Sequence, residues 1–280
     1  MFMTGETKSL ITIITVCYNC ENVIKSTVES VIRQKYNNIE YILVDGASTD
    51  TTIEIIKSYK TIAEDNGISF KFISEQDNGI YDAMNKGIAL ANGDYIHFLN
   101  AADLFCNDMV LCNVAALMDP ENISLVIGGS IHVNNLHNIK ALKYYRIKSA
   151  VSLYRNGNMV CHQSIFHNSK IFKKYGYYSV KYKLVADNEW LLRFLSLKNN
   201  LELISYVTIP IVFYDMTGVS ASSREQVFLE RKELLKDYNF GLFNYYQGFI
   251  INRIKYFKFL IIKLIKKLGL YDSYIKVKYK

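Results

Sequence analysis

Ile39-Glu40-Tyr41-Ile42-Leu43-Val44-Asp45-Gly46-Ala47-Ser48-Thr49-Asp50-Thr51 decides the fold class. Its first six residues are apolar or β-branched almost throughout, the pattern of a strand buried on both faces of a parallel sheet. An acid stands where that strand ends. Ser48-Thr49-Asp50-Thr51 then offers N-cap oxygens for a helix running to about Tyr59.

Outward from there the same alternation repeats. Leu10–Val16 is a second continuous apolar run, followed by helical spacing over Asn22–Gln34 with Val23, Ile24, Val28, Val31 and Ile32 on one face. Phe70–Ser74 reads as a strand, Tyr81–Ala91 as a helix that Gly93 breaks, and Tyr95–Leu99 as a fourth strand. Alternating strands and helices predict an α/β fold with a mostly parallel sheet covered on both faces. Farther along, Leu125–Gly128, Ile131–Val133 and Ile204–Val207 are predicted strands and Ala186–Leu197 a helix. Ser222-Ser223-Arg224-Glu225 has the form of a capping box opening a helix to about Lys236. Tyr144–Tyr154 fits neither period.

Asp45, Asp77, Asp82 and Asp103 fall at or just after predicted strand ends in the first 105 residues. Such ends line the crevice where open α/β sheets bind ligands. Acids there suit a ribose, a base edge and a divalent metal on a diphosphate. The first strand runs into Cys17-Tyr18-Asn19-Cys20-Glu21-Asn22 without a glycine fingerprint, which argues against a dehydrogenase. No Gly-rich basic loop supports a nucleotidyltransferase either. Cys17-x-x-Cys20 has thioredoxin-like spacing. The only prolines are Pro120 and Pro210, and Cys106 and Cys112 are poorly spaced for zinc, so neither a redox nor a zinc role is expected.

The 280 residues suit one large α/β domain with an appendage. The net charge is +7, but residues 241–280 carry nine Lys/Arg and one acid, Asp272. The body is therefore near neutral. Within that tail Ile250, Ile254, Phe257, Ile261, Leu264, Ile265 and Leu268 form an apolar stripe, with Arg253, Lys255, Lys263, Lys266 and Lys267 largely away from it. This is the pattern of a helix lying in the interface of an anionic membrane; a helix packed on the body is the alternative. Nucleic acid is not expected, because no stacking motif accompanies the charges. Five cysteines without scaffold spacing fit a reduced, cytoplasmic setting. No signal peptide is visible, and no run is long enough to span a bilayer.

Four segments, Ile13-Ile14-Thr15-Val16-Cys17-Tyr18-Asn19, Val44-Asp45-Gly46-Ala47-Ser48-Thr49-Asp50, Asp77-Asn78-Gly79-Ile80-Tyr81-Asp82-Ala83-Met84-Asn85-Lys86-Gly87 and Ala91-Asn92-Gly93-Asp94-Tyr95-Ile96, stand in the order and spacing of one family. Together they resemble the family-2 glycosyltransferases, most of all bacterial members that build capsular, O-antigen or exopolysaccharide repeats. The resemblance implies a GT-A fold over residues 1–238, with a nucleotide-sugar half at 1–105 and an acceptor half at 106–238, and leaves 239–280 as the membrane-associating helix. It implies an inverting transferase that moves a sugar from a nucleotide-sugar donor, UDP-linked, to a polyprenyl-linked saccharide at the inner face of the cell membrane. A non-catalytic sugar-binding or scaffold member is the alternative.

The resemblance also distributes roles. Tyr18 would flank the base and Asp45 would meet the uracil or ribose. Asp50 would hold the turn or the base edge. Asp77 and Asp82 lie in the donor segment, and Lys86 would meet phosphate or ribose. His162, in Cys161-His162-Gln163, and Ser220, in Gly218-Val219-Ser220, would approach the donor or acceptor. Asp45 and Asp50 equally suit a capped turn, Lys86 a solvated helix face, His162 a structural histidine and Ser220 a simple turn. The family's metal motif is reduced here to Asn100-Ala101-Ala102-Asp103, which makes Asp103 the ligand for Mg²⁺ or Mn²⁺. Asp187, at a helix start that favours the anion, would be the general base, with Glu189 as the alternative.

Overall fold

The computed structural model describes residues 8–134, 138–150, 153, 159–197, 200–218 and 223–239. Two compact units divide the chain, Met1–Ile147 with Val160–Arg231, and Lys148–Met159 with Lys232–Lys280. Every predicted site residue except Ser220 lies in the described part of the first unit. Ser220 and the predicted tail helix lie outside the described residues.

The predicted parallel core is present. Strands β1 (Ile11–Cys17) and β2 (Ile39–Asp45) are buried at every position. With β3 (Ser69–Ser74) and β4 (Tyr95–Phe98) they run in the order β3-β2-β1-β4, all parallel. Helices α1 (Ile24–Ile32), α2 (Thr52–Ser58), α3 (Lys60–Asp65) and α4 (Ile80–Leu90) form the crossovers. The helix predicted to run to about Tyr59 is α2, and α3 follows it as a further short helix that was not predicted. A Cβ on Gly87 would lie 2.6 Å from Ile14 Cγ2, so the bare glycine is what lets α4 lie directly on β1. The chain leaves β1 toward β2 and later crosses back to β4 on its other side. That reversal opens a crevice at the carboxyl ends of β1 and β4.

The second half departs from the predicted pattern. Leu125–Gly128 and Ile131–Val133 are one strand, β6 (Leu125–Val133), whose register shifts at Gly129. The strand predicted at Ile204–Val207 continues to Asp215 as β9. Pro210 pairs with Gly129 at the irregularity, where a missing N–H is tolerated. Three strands had no sequence signal: β5 (Leu104–Phe105), β7 (Ile139–Lys143) and β8 (Ile165–Asn168). β8 docks antiparallel between β4 and β6, and β9 runs beside β6 with β5 at the margin. The sheet is therefore parallel in its first half and mixed beyond it. Helices α5 (Val110–Ala115) and α6 (Ser169–Tyr175) were likewise unpredicted, whereas α7 (Ala186–Leu195) and α8 (Arg224–Asp237) match predicted helices, α7 stopping two residues short.

A buried carboxylate fastens the amino-end side of the sheet. Glu40 accepts from Thr12 Oγ1 at 2.5 Å, from Lys71 Nζ at 2.7 Å, and from the Asn92 backbone and side-chain nitrogens at 2.8 Å each. Burial pushes its pKa up, but Lys71, Thr12 and Asn92 outweigh it, and the net shift is downward. A depressed carboxylate contributes stability above its unfolded pKa that is lost as pH falls through the folded value. Glu40→Gln is therefore expected to cost about 2 kcal/mol at neutral pH. Denaturant melts across pH should show the gap to wild type closing below about pH 4.3.

Candidate active site

Three of the four non-glycine residues with positive φ among the described residues sit where strands enter the crevice: Asn19 (45°), Ala47 (63°) and Ala102 (79°). Such backbone costs roughly 1–3 kcal/mol per residue and persists only where surroundings impose it. Here the loops after β1 and β2 impose it on each other. Asn19 N–H donates to Ser48 Oγ (2.8 Å), Thr49 N–H to Asn19 Oδ1 (2.9 Å), Cys20 N–H to Thr52 Oγ1 (2.8 Å) and Glu21 N–H to Asp50 Oδ2 (3.2 Å).

Asp45 ends β2 beneath these loops, fully buried. Its carboxylate accepts from Ser48 N–H at 2.9 Å, Ser74 Oγ at 2.7 Å and the Ser48 hydroxyl. It holds the turn, so a donor contact would have to share oxygens already in use. Asp50 also accepts from Thr52 N–H at 3.0 Å and anchors the start of α2. Of its two implied roles the structure shows the turn. Tyr18 is 61% exposed. It and Asp77 meet over Gly46, where a Cβ would fall 2.6 Å from Asp77 Oδ2 and 3.5 Å from Tyr18 Cδ2. Asp77 Oδ1 accepts from Gly79 N–H at 2.8 Å, and among the described residues Oδ2 has no hydrogen bond. An exposed ring beside a carboxylate oxygen is a surface a base and ribose can use. Asp82 reaches back to Asn78 N–H (2.9 Å) and closes the start of α4. Lys86 donates to Gln76 O (2.7 Å) and pairs with Glu75 (2.9 Å).

The structure gathers the remaining site residues around one short 3₁₀ turn, His162–Ser164. His162 Nδ1 lies 3.3 Å from Asp187 Oδ2, and Tyr81 Oη donates to Asp187 Oδ1 at 2.8 Å. Asn100 Nδ2 lies 3.1 Å from His162 Nε2. With the amide as donor, that contact puts the imidazole proton on Nδ1, facing Asp187. Burial pushes Asp187 up, but the hydrogen bonds from His162 and the Tyr81 hydroxyl hold it below the ordinary aspartate range. Burial and the neighbouring Asp187 keep the Tyr81 phenol protonated, so it remains a donor. Asp187 keeps 15% of its side chain exposed, enough to meet a ligand.

The next residue, Gln163, serves the other acid. Its Nε2 donates to Asp103 Oδ2 at 2.7 Å, while Asp215 N–H donates to Oδ1 at 2.9 Å. Asp103 is 3% exposed, and burial pushes its pKa up to about 7. Both hydrogen bonds come from neutral donors, and among the described residues no lysine or arginine pairs with it. Three residues earlier, Asn100 Oδ1 is buried without a partner. Glu189, the alternative base, is removed from this chemistry. It is buried and holds Arg193 through two contacts at 3.0 and 2.9 Å, and Arg193 in turn donates to the Tyr175 and Tyr177 carbonyls.

Tyr81, Asn100, Gln163 and Asp215 enter the site without having been assigned roles in the sequence reading. Tyr81, Asn100 and Gln163 stand inside recognised motifs. Asp215 carried no signal, because its strand was predicted to end eight residues earlier.

Residues 12–176 match the family described as glycosyl transferase family 2, more than half the chain. The chain belongs to that family. It is 29% identical over 216 residues to a PGL/p-HBAD biosynthesis glycosyltransferase of Mycobacterium bovis, covering 76% of this chain and 80% of the relative. It is 32% identical over 186 residues to an uncharacterized glycosyltransferase of Mycobacterium tuberculosis, covering 65% and 68%. Among solved structures it resembles residues 1–349 of S. aureus TarS in complex with UDP-GlcNAc, with TM-score 0.61 and 18% identity over 76% of this chain and 61% of that one. It also resembles a mannosyltransferase of Pyrobaculum calidifontis in complex with GDP-Man and Mn²⁺, with TM-score 0.52 and 16% identity over 73% and 55%. The likeness to these structures is one of fold, the GT-A glycosyltransferase fold, and the chain spans about 60% or less of either.

Tyr81→Phe tests the hydrogen bond to Asp187. Removing a donor that lowers the pKa of Asp187 should move the acid limb of the kcat/KM pH profile to higher pH. Turnover should fall roughly tenfold while the thermal midpoint changes little.

Proposed function

We propose that this chain is an inverting glycosyltransferase that moves a sugar from a nucleotide-sugar donor, UDP-linked, to a lipid-linked oligosaccharide during surface-polysaccharide synthesis. The observation that carries the reading is the pair of carboxylates flanking His162-Gln163. Asp187 is ionised and reaches solvent, while Asp103 is enclosed and lacks a protein cation. Asp187 would accept the proton of the attacking acceptor hydroxyl, a contribution of about 10²–10⁴-fold. One base on the face opposite the leaving group gives inversion at the anomeric carbon. Tyr81 and His162 hold that base in orientation.

The residues present fit a divalent cation. Asp103 is an uncompensated acid, and the nearby Asn100 Oδ1 is a buried acceptor with no donor. Asp103 would hold Mg²⁺ or Mn²⁺ together with diphosphate oxygens and water, since such ions commonly keep several waters. When bound, the ion supplies Lewis-acid stabilisation of the departing nucleoside diphosphate. Among the described residues no cluster of three His, Cys, Asp or Glu side chains could hold an ion without such help. Tyr18 and Asp77 would receive the nucleoside. Structures of like fold seen with UDP-GlcNAc and with GDP-Man support a nucleotide-sugar donor. A lipid-linked acceptor and a peripheral position on the inner membrane face rest on the basic amphipathic pattern of residues 249–268.

Transfer or donor hydrolysis by the purified chain, across a panel of nucleotide sugars with and without Mn²⁺, tests the proposal. Asp187→Asn should lower kcat by about 10²–10⁴-fold with donor affinity retained. Asp103→Asn should fold and lose the metal response. Full activity in both variants contradicts the assignment, and no turnover with any donor favours a non-catalytic sugar-binding role.

A further inference from the structure

From Asn122 to Ala186 the chain contains ten Lys/Arg residues and no Asp or Glu. Within that acid-free stretch, β7 stands at the margin of the sheet and pairs only with β6 among the described strands. Around it Ile139 is 61% exposed, Leu142 54% and Tyr144 54%, interleaved with exposed Lys140, Lys143 and Arg146. Successive strand residues face opposite sides. Paired residues share a face, and the register shift between His132 and Val133 puts Ile139, opposite Val133, and Leu142, opposite Ile131, on one face and Lys143, opposite Ser130, on the other, with Lys140 at the irregularity between them. The ribbon also has a defined place relative to the chemistry. Ile139 pairs with Val133, and Val133 with Asp215, whose amide holds Asp103. Two strand spacings, about 10 Å, separate Ile139 from Asp215.

We propose that the β6–β7 ribbon is a docking surface for an anionic lipid bilayer, and that it brings the acceptor side of the crevice to the headgroup level. Charge decides the occupant. The basic tail, with nine Lys/Arg and one acid, would set cations against cations, and so would the same ribbon of a second copy. An anionic headgroup layer meets the lysines while its acyl boundary takes the exposed Ile, Leu and Tyr side chains. The edge of β7 that no described strand covers sets the depth. Its N–H and C=O groups on that side need water or phosphate, so the ribbon lies among headgroups and does not enter hydrocarbon. Edge lysines also discourage strand-to-strand pairing with other chains.

The proposal rests on the membrane-side acceptor proposed above, but vesicle binding is read separately from sugar transfer. Sedimentation of the full-length protein with phosphatidylcholine vesicles, plain or mixed with phosphatidylglycerol, tests it. Binding is expected with the anionic vesicles and not with the neutral ones. Each lysine near an anionic leaflet is worth about fivefold, so Lys140→Gln/Lys143→Gln should weaken binding roughly thirtyfold. Leu142→Ser/Tyr144→Ser should weaken it several-fold in a salt-insensitive way. Donor hydrolysis and thermal midpoint should stay at wild-type values in both variants. Unchanged binding in both overturns the proposal. So does a fall of several degrees in the midpoint of Leu142→Ser/Tyr144→Ser, which would mean those side chains are covered within the protein. A wild-type dimer that the variants dissociate would assign the ribbon to a second copy and overturn it equally.

Discussion

Two adjacent side chains, His162 and Gln163, hold the two acids on which the site depends. His162 faces Asp187 and Gln163 faces Asp103. Burying a carboxylate is costly unless it is hydrogen-bonded, so neither acid could sit where it does without that turn. The partners differ in kind, and so do the outcomes. Asp187 gains a histidine and a phenol and is held as an anion. Asp103 gains only neutral donors and is left short of positive charge. One short turn thus holds one acid ionised and another enclosed among neutral donors.

The turn in turn depends on the sheet. It precedes β8, which docks antiparallel between β4 and β6. Asp215 closes the far side of Asp103 from the end of β9. Asn100, where the resembled family carries an acid, orients His162 through its amide and leaves its oxygen unpartnered. The lost acid therefore does not leave a gap in the site. Around the crevice the strained loops after β1 and β2 are pinned by each other's side chains, which preorganises the surface beneath Tyr18 and Asp77.

The parallel half of the fold was legible because β1 and β2 are buried on both faces and read as largely apolar, β-branched runs. The mixed half was not. β5 has two residues, β7 is a half-charged edge strand, and β8 includes a histidine and an asparagine whose burial depends on neighbours far away in sequence. β9 was predicted to end at Val207, and it continues through Pro210, which sits at a register shift where no N–H is needed. In the site, the sequence singled out Asp103 and Asp187, and the structure shows each held by one of two adjacent residues of one turn. The sequence also suggested Asp45 and Asp82 as ligand-facing, and the structure shows both accepting hydrogen bonds from their own loops. Motif position marks that an acid matters, whereas the geometry of its lone pairs decides what it touches. The links from Tyr81 to Asp187 and from Gln163 to Asp103 span 106 and 60 residues and leave no trace in local pattern.

The central claim is that the departing diphosphate leans on Asp103 while Asp187 waits on the opposite side of the sugar. A crystal structure of the protein with a non-hydrolysable nucleotide sugar and Mn²⁺ tests it most directly. The account predicts the ion bound to Asp103 and the diphosphate, with the acceptor approach to the anomeric carbon open on the Asp187 side and room for a hydroxyl at about 3–3.5 Å. A donor whose diphosphate lies away from Asp103, or whose anomeric carbon faces away from Asp187, would contradict it.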